Sequence, residues 1–134
     1  SAKWRQPSPR HGVSRPIQSV KEACLGCHPK ATAEEKRYQI EAAQNYIRGK
    51  MRKSEYWLAR LIDTYAAAQK AGVPEAVLAE ARERHEEAHV LWEWWTAENS
   101  DGWHNPDLAR DSLAASIVAS RKGVDILVKA MGSR

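Results

Sequence analysis

Apolar residues recur at helical spacing over most of the chain. One stripe near the C-terminus consists of Leu113, Ile117, Ser120, Val124, Leu127 and Met131. A second stripe consists of Leu78, Ala81, His85, Ala88, Trp92 and Trp95. Steps of three and four residues place such side chains on one face of an α-helix. The pattern therefore predicts amphipathic helices with these faces inward, and no segment has the alternation expected of a β-strand.

Local signals bound the first helix. Thr32 followed by Glu35 forms a capping box, which predicts a helix start at this point. The helix is expected to run to about Lys70, because Gly72 and Pro74 then supply a C-terminal glycine and a stop.

The second helix is predicted from Pro74 to about Glu98, where the polar run 99–105 interrupts the stripe. A third helix should begin at Asn105-Pro106, with asparagine as N-cap and proline in the first turn.

The N-terminal part of the chain differs in character. It shows little apolar periodicity and contains Pro7, Pro9, Pro16 and Pro29. Proline interrupts regular structure, so residues 1–30 are predicted to form an extended segment and residues 31–134 a long-helix bundle. The predicted fold class is all-α, with three long antiparallel helices.

The predicted helices are long for a chain of 134 residues. At 1.5 Å per residue the first would be about 58 Å long, whereas a compact chain of this size is only about 36 Å across. Their apolar sides are therefore expected to contact another surface, either in a second copy or in the rest of a larger protein.

Both cysteines of the chain lie in Cys24-Leu25-Gly26-Cys27-His28. Cys-x-x-Cys-His is the attachment signature of a c-type haem, in which two thiols form thioethers and the histidine ligates the iron. A zinc knuckle would need a second ligand pair, and a disulfide would leave His28 without a role. The motif predicts one covalently attached haem c, with His28 as proximal ligand.

Composition and charge narrow the possible functions and cellular locations. The net charge of +4 includes no long basic run, which argues against nucleic-acid binding. No apolar run is long enough for a membrane span. Covalent haem attachment implies maturation outside the cytoplasm, so a periplasmic or extracellular location is expected.

The remaining histidines are weaker candidates. His11 and His104 lie in irregular segments, where a solvated side chain is the commoner role on spacing alone. His85 and His89 are one helical turn apart, but no third ligand is placed by sequence and their charged neighbours suggest a salt-bridged helix surface. Since His85 lies on the apolar stripe, its favoured role is hydrogen bonding in the core or beside a porphyrin.

Tryptophans cluster around the end of the second helix. Trp92, Trp95 and Trp103 can wall a haem or fill a helix interface. Since Trp92 and Trp95 share the inward stripe, core packing is the favoured interpretation, with haem packing as the alternative.

Three stretches together resemble the ammonia-forming cytochrome c nitrite reductases. His11–Ile17 and Ala23–Lys30 look like the last haem-binding segment of that family. Trp92–Pro106, with Ala-Glu-Asn-Ser before His-Asn-Pro, looks like its helix-to-helix turn. Related octahaem enzymes of the hydroxylamine-oxidising type share a similar C-terminal region. The resemblance covers roughly residues 10–132.

The resemblance implies a role for each matching residue. Cys24 and Cys27 would hold the last haem, with His28 as proximal ligand. His11 would be the distal ligand of an earlier haem, and His104 that of another. The long helices would supply a dimer contact. The distal ligand of this chain's own haem stays open among His11, His104, a partner residue and none at all.

The chain also departs from that family. The family has at least five haem motifs and a catalytic haem with a Cys-x-x-Cys-Lys motif, whereas this chain has one motif and no such lysine. It is therefore interpreted as an electron-transfer module, the C-terminal portion or small subunit of a multihaem cytochrome, and not as catalytic alone. Its expected partners are another multihaem chain or a missing N-terminal part, and a redox protein.

Two alternatives stay open. The chain could be a subunit that completes an enzyme reducing nitrite or oxidising hydroxylamine. It could also be a stand-alone monohaem carrier or sensor similar to cytochrome c′, although in that family the haem motif follows the helices.

Overall fold

The structure, a computed structural model, describes residues 20, 27, 32–98 and 101–132. It contains three helices, α1 (Ala33–Lys70), α2 (Glu75–Ala97) and α3 (Pro106–Gly132). The described residues include no strand. The predicted all-α class and the three long antiparallel helices are confirmed.

Little of the segment predicted to be extended is described. Val20 has a helical backbone and is buried, and Cys27 lies in a turn and is exposed. The form of the other residues of 1–30, and the division of the chain at residue 30, lie outside the described residues.

The predicted signals bound α1 at both ends. Thr32 Oγ1 accepts a hydrogen bond from Glu35 N–H at 3.1 Å, and Thr32 N–H donates to Glu35 Oε2 at 2.9 Å. After the helix, Gly72 takes a positive φ of 76°. Val73 N–H then donates to the Ala68 carbonyl at 3.1 Å. The capping box and the glycine stop are both confirmed.

The core has three layers along the bundle. The first layer, next to the α1–α2 connection, contains Leu61, Ala68, Val73, Leu78, Ala81, Val124 and Leu127. The central layer contains Leu58, Ala88 and Ala119. The third layer, next to the α2–α3 turn, contains Ile47, Trp95, Ala109 and Leu113. Helix α3 contacts both other helices more extensively than they contact each other.

Most predicted inward positions are buried. On α3 the stripe is buried from Leu113 to Leu127, and Met131 is half-buried. On α2 the stripe is buried except at His85 and Trp92, which are half-buried.

A polar contact joins all three helices near the central layer. Ser116 Oγ donates to the Ala88 carbonyl at 2.7 Å. The Ser54 and Ser116 hydroxyls are also 2.7 Å apart, and both residues are fully buried. Since the Ser116 proton is used on Ala88, Ser54 is the donor of this pair. The arrangement fixes α1, α2 and α3 to one another at a single level.

Helix α1 is much longer than α2, with 38 residues against 23 residues. At 1.5 Å per residue, α1 is about 57 Å long and α2 is about 35 Å long. Because Ile47 lies beside Gly102 in the α2–α3 turn, the residues of α1 before Ile47 extend past that turn. Ile40, in this extension, is fully buried.

Large apolar side chains are also exposed on every helix. They are Tyr38, Tyr46, Tyr56, Ile62, Val90, Trp94, Leu108, Val118 and Val128. None of the described helices combines the length and apolar character needed to cross a membrane.

Candidate functional site at the α2–α3 turn

The turn between α2 and α3 presents His104. Glu98 leaves α2 with an extended backbone, at φ −75° and ψ 127°. Asp101 and Gly102 then adopt left-handed φ values of 52° and 83°. Glycine has no Cβ to penalise this conformation, and aspartate tolerates it better than most residues. These two residues lie between the end of α2 and the start of α3.

One carboxylate connects the turn to the histidine. Glu98 Oε2 accepts a hydrogen bond from Gly102 N–H at 3.0 Å. Glu98 Oε1 lies 3.5 Å from His104 Nδ1. The Glu98 side chain is only 20% exposed, whereas that of His104 is 59% exposed. The carboxylate is therefore set into the turn, and the imidazole is on its surface.

Two contacts fasten the turn to α1. Arg48 Nη2 lies 2.6 Å from Asp101 Oδ2. Gly102 sits so close to Ile47 that an added Cβ would be 2.8 Å from Ile47 Cγ1. The same Cβ would be 3.2 Å from Ala109 Cβ. Both conformation and space therefore require glycine at position 102.

The predicted start of the third helix directly follows His104. Asn105 Oδ1 accepts a hydrogen bond from Leu108 N–H at 3.1 Å, and Pro106 is the first helical residue. The expected asparagine cap and first-turn proline are confirmed. His104 is thus held between a capped helix and a left-handed turn.

The described part of the chain contains only one residue of the haem motif. Cys27 is exposed and its thiol is unpaired. Cys24, His28 and His11 lie outside the described residues. Haem attachment, the proximal ligand and the role of His11 therefore stay predictions.

The three candidate tryptophans have different environments. Trp95 is 5% exposed in the third layer, which confirms core packing for this residue. Trp92 is half-buried, and its Nε1–H donates to Glu55 Oε1 at 3.2 Å. Trp103, directly before His104, is half-buried. Haem packing by any of them stays a prediction.

The His85–His89 pair lies on α2. The two rings stack with centroids 5.8 Å apart, and His89 Nδ1 lies 3.6 Å from Glu93 Oε2. Within the described residues, no group of three His, Cys, Asp or Glu side chains is placed to hold a metal ion.

His85 also lines a cavity of about 210 Å³ between α1 and α2, beside Leu61, Tyr65 and Arg82. Hydrogen bonds to Glu75 and then to Tyr65 raise the pKa of the Arg82 guanidinium above its ordinary value. The cation is therefore already neutralised locally by Glu75.

The sequence predicted neither the Glu98 carboxylate beside His104 nor the ion pair between Arg48 and Asp101. Glu98 belongs to the Ala-Glu-Asn-Ser stretch, and its place shortly before His104 was the one available signal. Arg48 and Asp101 are 53 residues apart in sequence. Nothing in the local pattern connects them.

The thiol of Cys27 and the imidazole of His104 suit the haem that the sequence predicts. An exposed, unpaired thiol at Cys27 and an exposed imidazole at His104 are the chemical groups that c-type haem uses for attachment and axial ligation. These residues therefore fit such a group.

Comparisons with known proteins agree with this chemistry. A sequence profile described as cytochrome c552 matches residues 5–134. Cytochrome c nitrite reductase subunit NrfA of Nitratidesulfovibrio vulgaris is 38% identical over 71 residues, which are 53% of this chain and 13% of that protein.

A solved structure gives the same result. The catalytic subunit of cytochrome c nitrite reductase from Desulfovibrio desulfuricans superposes with a TM-score of 0.81 at 29% identity. The match covers 87% of this chain and 26% of that chain. The chain thus spans about a quarter or less of the length of these relatives.

Proposed function

The chain belongs to the cytochrome c552 family, and we propose that it is a haem c-bearing electron-transfer part of a nitrite reductase-like multihaem cytochrome. It would be either the C-terminal portion or a small subunit of that protein. The observation that carries this proposal is the exposed imidazole of His104 beside Glu98 at the turn, in a chain that also has a haem attachment motif.

Attachment is assigned to the N-terminal motif. Cys24 and Cys27 would form the thioethers, and His28 would be the proximal ligand. The exposed and unpaired thiol of Cys27 supports this assignment. A bound haem supplies one-electron oxidation and reduction, and histidine on both axial positions leaves the iron no open site.

His104 and His11 are assigned as distal ligands of other haems in the multihaem protein. For His104 the support is geometric, because Nδ1 faces a Glu98 oxygen 3.5 Å away and the side chain is exposed. For His11 the support is the resemblance alone. Trp103 is assigned to packing beside the haem that His104 ligates, since it is the adjacent residue and half-buried.

A further chain or a further part of the same protein is the proposed partner. The relatives are several times longer than the matched region. Helix α1 also extends past the α2–α3 turn and has exposed Tyr38 and Tyr46. We propose that the long helices contact this partner or a second copy, and that the protein is periplasmic or extracellular.

Intact-mass measurement tests the attachment. The purified protein should carry the mass of one haem, and Cys27→Ser should leave at most a single thioether. A colourless chain with two free thiols would contradict the proposal. The absorption spectrum supplies a second test, because six-coordinate, low-spin haem should not bind carbon monoxide.

A subunit of an active enzyme is the second candidate. It is favoured by the similarity to a solved catalytic subunit of nitrite reductase. Native mass spectrometry separates the two candidates. Co-purification with a larger chain that has an open haem supports the enzyme subunit, and a free single-haem protein argues against it.

A further inference from the structure

We propose that Glu98 is the positioning residue for His104, holding the imidazole so that Nε2 presents its lone pair to iron. This inference rests on the proposed role of His104 as an axial ligand. Glu98 is a residue to which the sequence pattern assigns no role.

The two oxygens of Glu98 have separate partners. Oε2 is engaged by Gly102 N–H at 3.0 Å, which fixes the carboxylate within the turn. Oε1 is then directed at His104 Nδ1, 3.5 Å away. The carboxylate therefore couples the position of the turn backbone to that of the imidazole ring.

The chemistry of imidazole gives this contact a consequence. A neutral imidazole has one N–H and one nitrogen lone pair, and a carboxylate beside Nδ1 favours the proton on Nδ1. The lone pair is then on Nε2, which is the atom that would ligate a metal. Carboxylate–histidine–metal arrangements use such outer contacts to fix the tautomer and raise the basicity of the ligand.

Packing and an ion pair support the turn next to Glu98. Gly102 is pressed against Ile47 and Ala109, and Asp101 is held by Arg48 from α1. Contacts therefore run from α1 through the turn backbone to Glu98, and from Glu98 to the ring of His104.

A neighbouring pair provides a matched comparison. His89 Nδ1 lies 3.6 Å from Glu93 Oε2, a similar separation on the same helix. Glu93 is 66% exposed, whereas Glu98 is 20% exposed. Exposed pairs are weakened by solvent and by side-chain entropy, so Glu93 should have little hold on its histidine.

Glu98→Gln in the complete holoprotein tests the inference. The glutamine oxygen can still accept from Gly102 N–H, so the turn is retained. Its amide then donates to His104 Nδ1 and moves the imidazole proton to Nε2, where it blocks the lone pair. We expect ligation by His104 to weaken by about 10–100-fold. The measured signs are a rise in the midpoint potential and a loss of low-spin signal for one haem.

Two control variants separate the possible failures. Glu93→Gln should leave the spectrum and the potential unchanged. His104→Ala should remove the low-spin signal of the same haem. If His104→Ala changes the haem spectrum and Glu98→Gln does not, the positioning role is wrong and the ligand role stands. If neither variant changes the spectrum, the ligand role itself fails.

A second measurement avoids dependence on the iron spectrum. Imidazole ¹⁵N chemical shifts of the full chain report which ring nitrogen carries the proton. His104 should have the proton on Nδ1 in the parent protein and on Nε2 in Glu98→Gln. The same tautomer in both proteins would overturn the inference.

Discussion

The interior of the bundle and the α2–α3 turn use polar groups in opposite ways. In the interior, Ser54 and Ser116 are fully buried and bond to other protein groups at the level of Ala88. In the turn, Glu98 is partly buried and His104 is mostly exposed. The interior therefore joins three helices to one another, whereas the turn places a histidine at the surface beside a half-buried carboxylate.

The backbone differs between the two regions as well. The interior consists of regular helix, in which Gly123 allows α3 to approach Leu61 of α1. The turn concentrates two left-handed residues, Asp101 and Gly102, beside the exposed histidine. The left-handed conformation is strained only at Asp101, since glycine adopts it freely; such strain persists only where the surroundings hold it, and it clusters at functional positions. The comparison assigns most of the burial to the layers, and the proposed function lies in the turn.

Leucine truncation should have the largest effect and sharpen this contrast. Leu127 is fully buried in the first layer, so Leu127→Ala should destabilise the fold by about 2–5 kcal/mol through lost burial and the cavity left behind. Leu108, on the same helix next to the turn, is 51% exposed. Leu108→Ala should cost much less in denaturant unfolding. Equal losses would contradict the assignment of stability to the layers.

Alanine at the turn glycine should have the next largest effect. Gly102→Ala forces a Cβ into a left-handed residue, at roughly 1–2 kcal/mol. It also forces contact with Ile47, so a total of about 2–3 kcal/mol is expected. Thermal unfolding measures the loss.

Gly49 is the matched control for that substitution. It lies within α1, and an added Cβ would meet nothing within 4 Å. Gly49→Ala should therefore stabilise the helix by about 0.5–1 kcal/mol. If both alanines change stability in the same direction, the special status of the turn backbone is wrong.

Removing one buried hydroxyl should have a smaller effect. Ser116→Ala leaves the Ser54 hydroxyl without its partner, which should cost about 1–3 kcal/mol. The double variant Ser54→Ala with Ser116→Ala removes both polar groups and should recover part of that loss. A double-mutant cycle by chemical denaturation gives the coupling. Strictly additive losses would show that the two hydroxyls act independently.

Removing the Arg48–Asp101 ion pair between α1 and the turn should have the smallest effect on stability. Arg48 and Asp101 are 45% and 29% exposed, so Arg48→Gln should cost about 0.2–1 kcal/mol. Salt screens such pairs, so the difference between parent and variant should shrink at about 1 M salt. A loss that is independent of ionic strength would point to packing by the arginine stem instead.

The helices could be predicted because their signals are local. Thr32 with Glu35, and Asn105 with Pro106, fall within one turn of chain, and both caps form as expected. The inward stripe of α2 was predicted less well. Its residues Ala81, Ala88 and Trp95, seven apart, are buried, whereas His85 and Trp92 are half-buried. His85 and Trp92 belong to a second row of residues at the edge of the helix interface, where long side chains reach solvent.

The candidate site was only partly predictable. His104 stood out through the resemblance, but the hold of Glu98 on it depends on how the left-handed turn folds back. Two contacts join residues that are far apart in the chain: the ion pair of Arg48 with Asp101 and the hydrogen bond between Ser54 and Ser116. Such contacts follow from the packing of the helices and leave no trace in local periodicity.

The buried serine pair also limits how this bundle can move. A helix that slides past its neighbours by one turn is one of the switching devices that proteins use. Here any axial slip of α3 would separate Ser116 from both Ser54 and the Ala88 carbonyl at once. The three helices should therefore shift together or not at all, and a change at one end would travel through the bundle as rigid-body displacement.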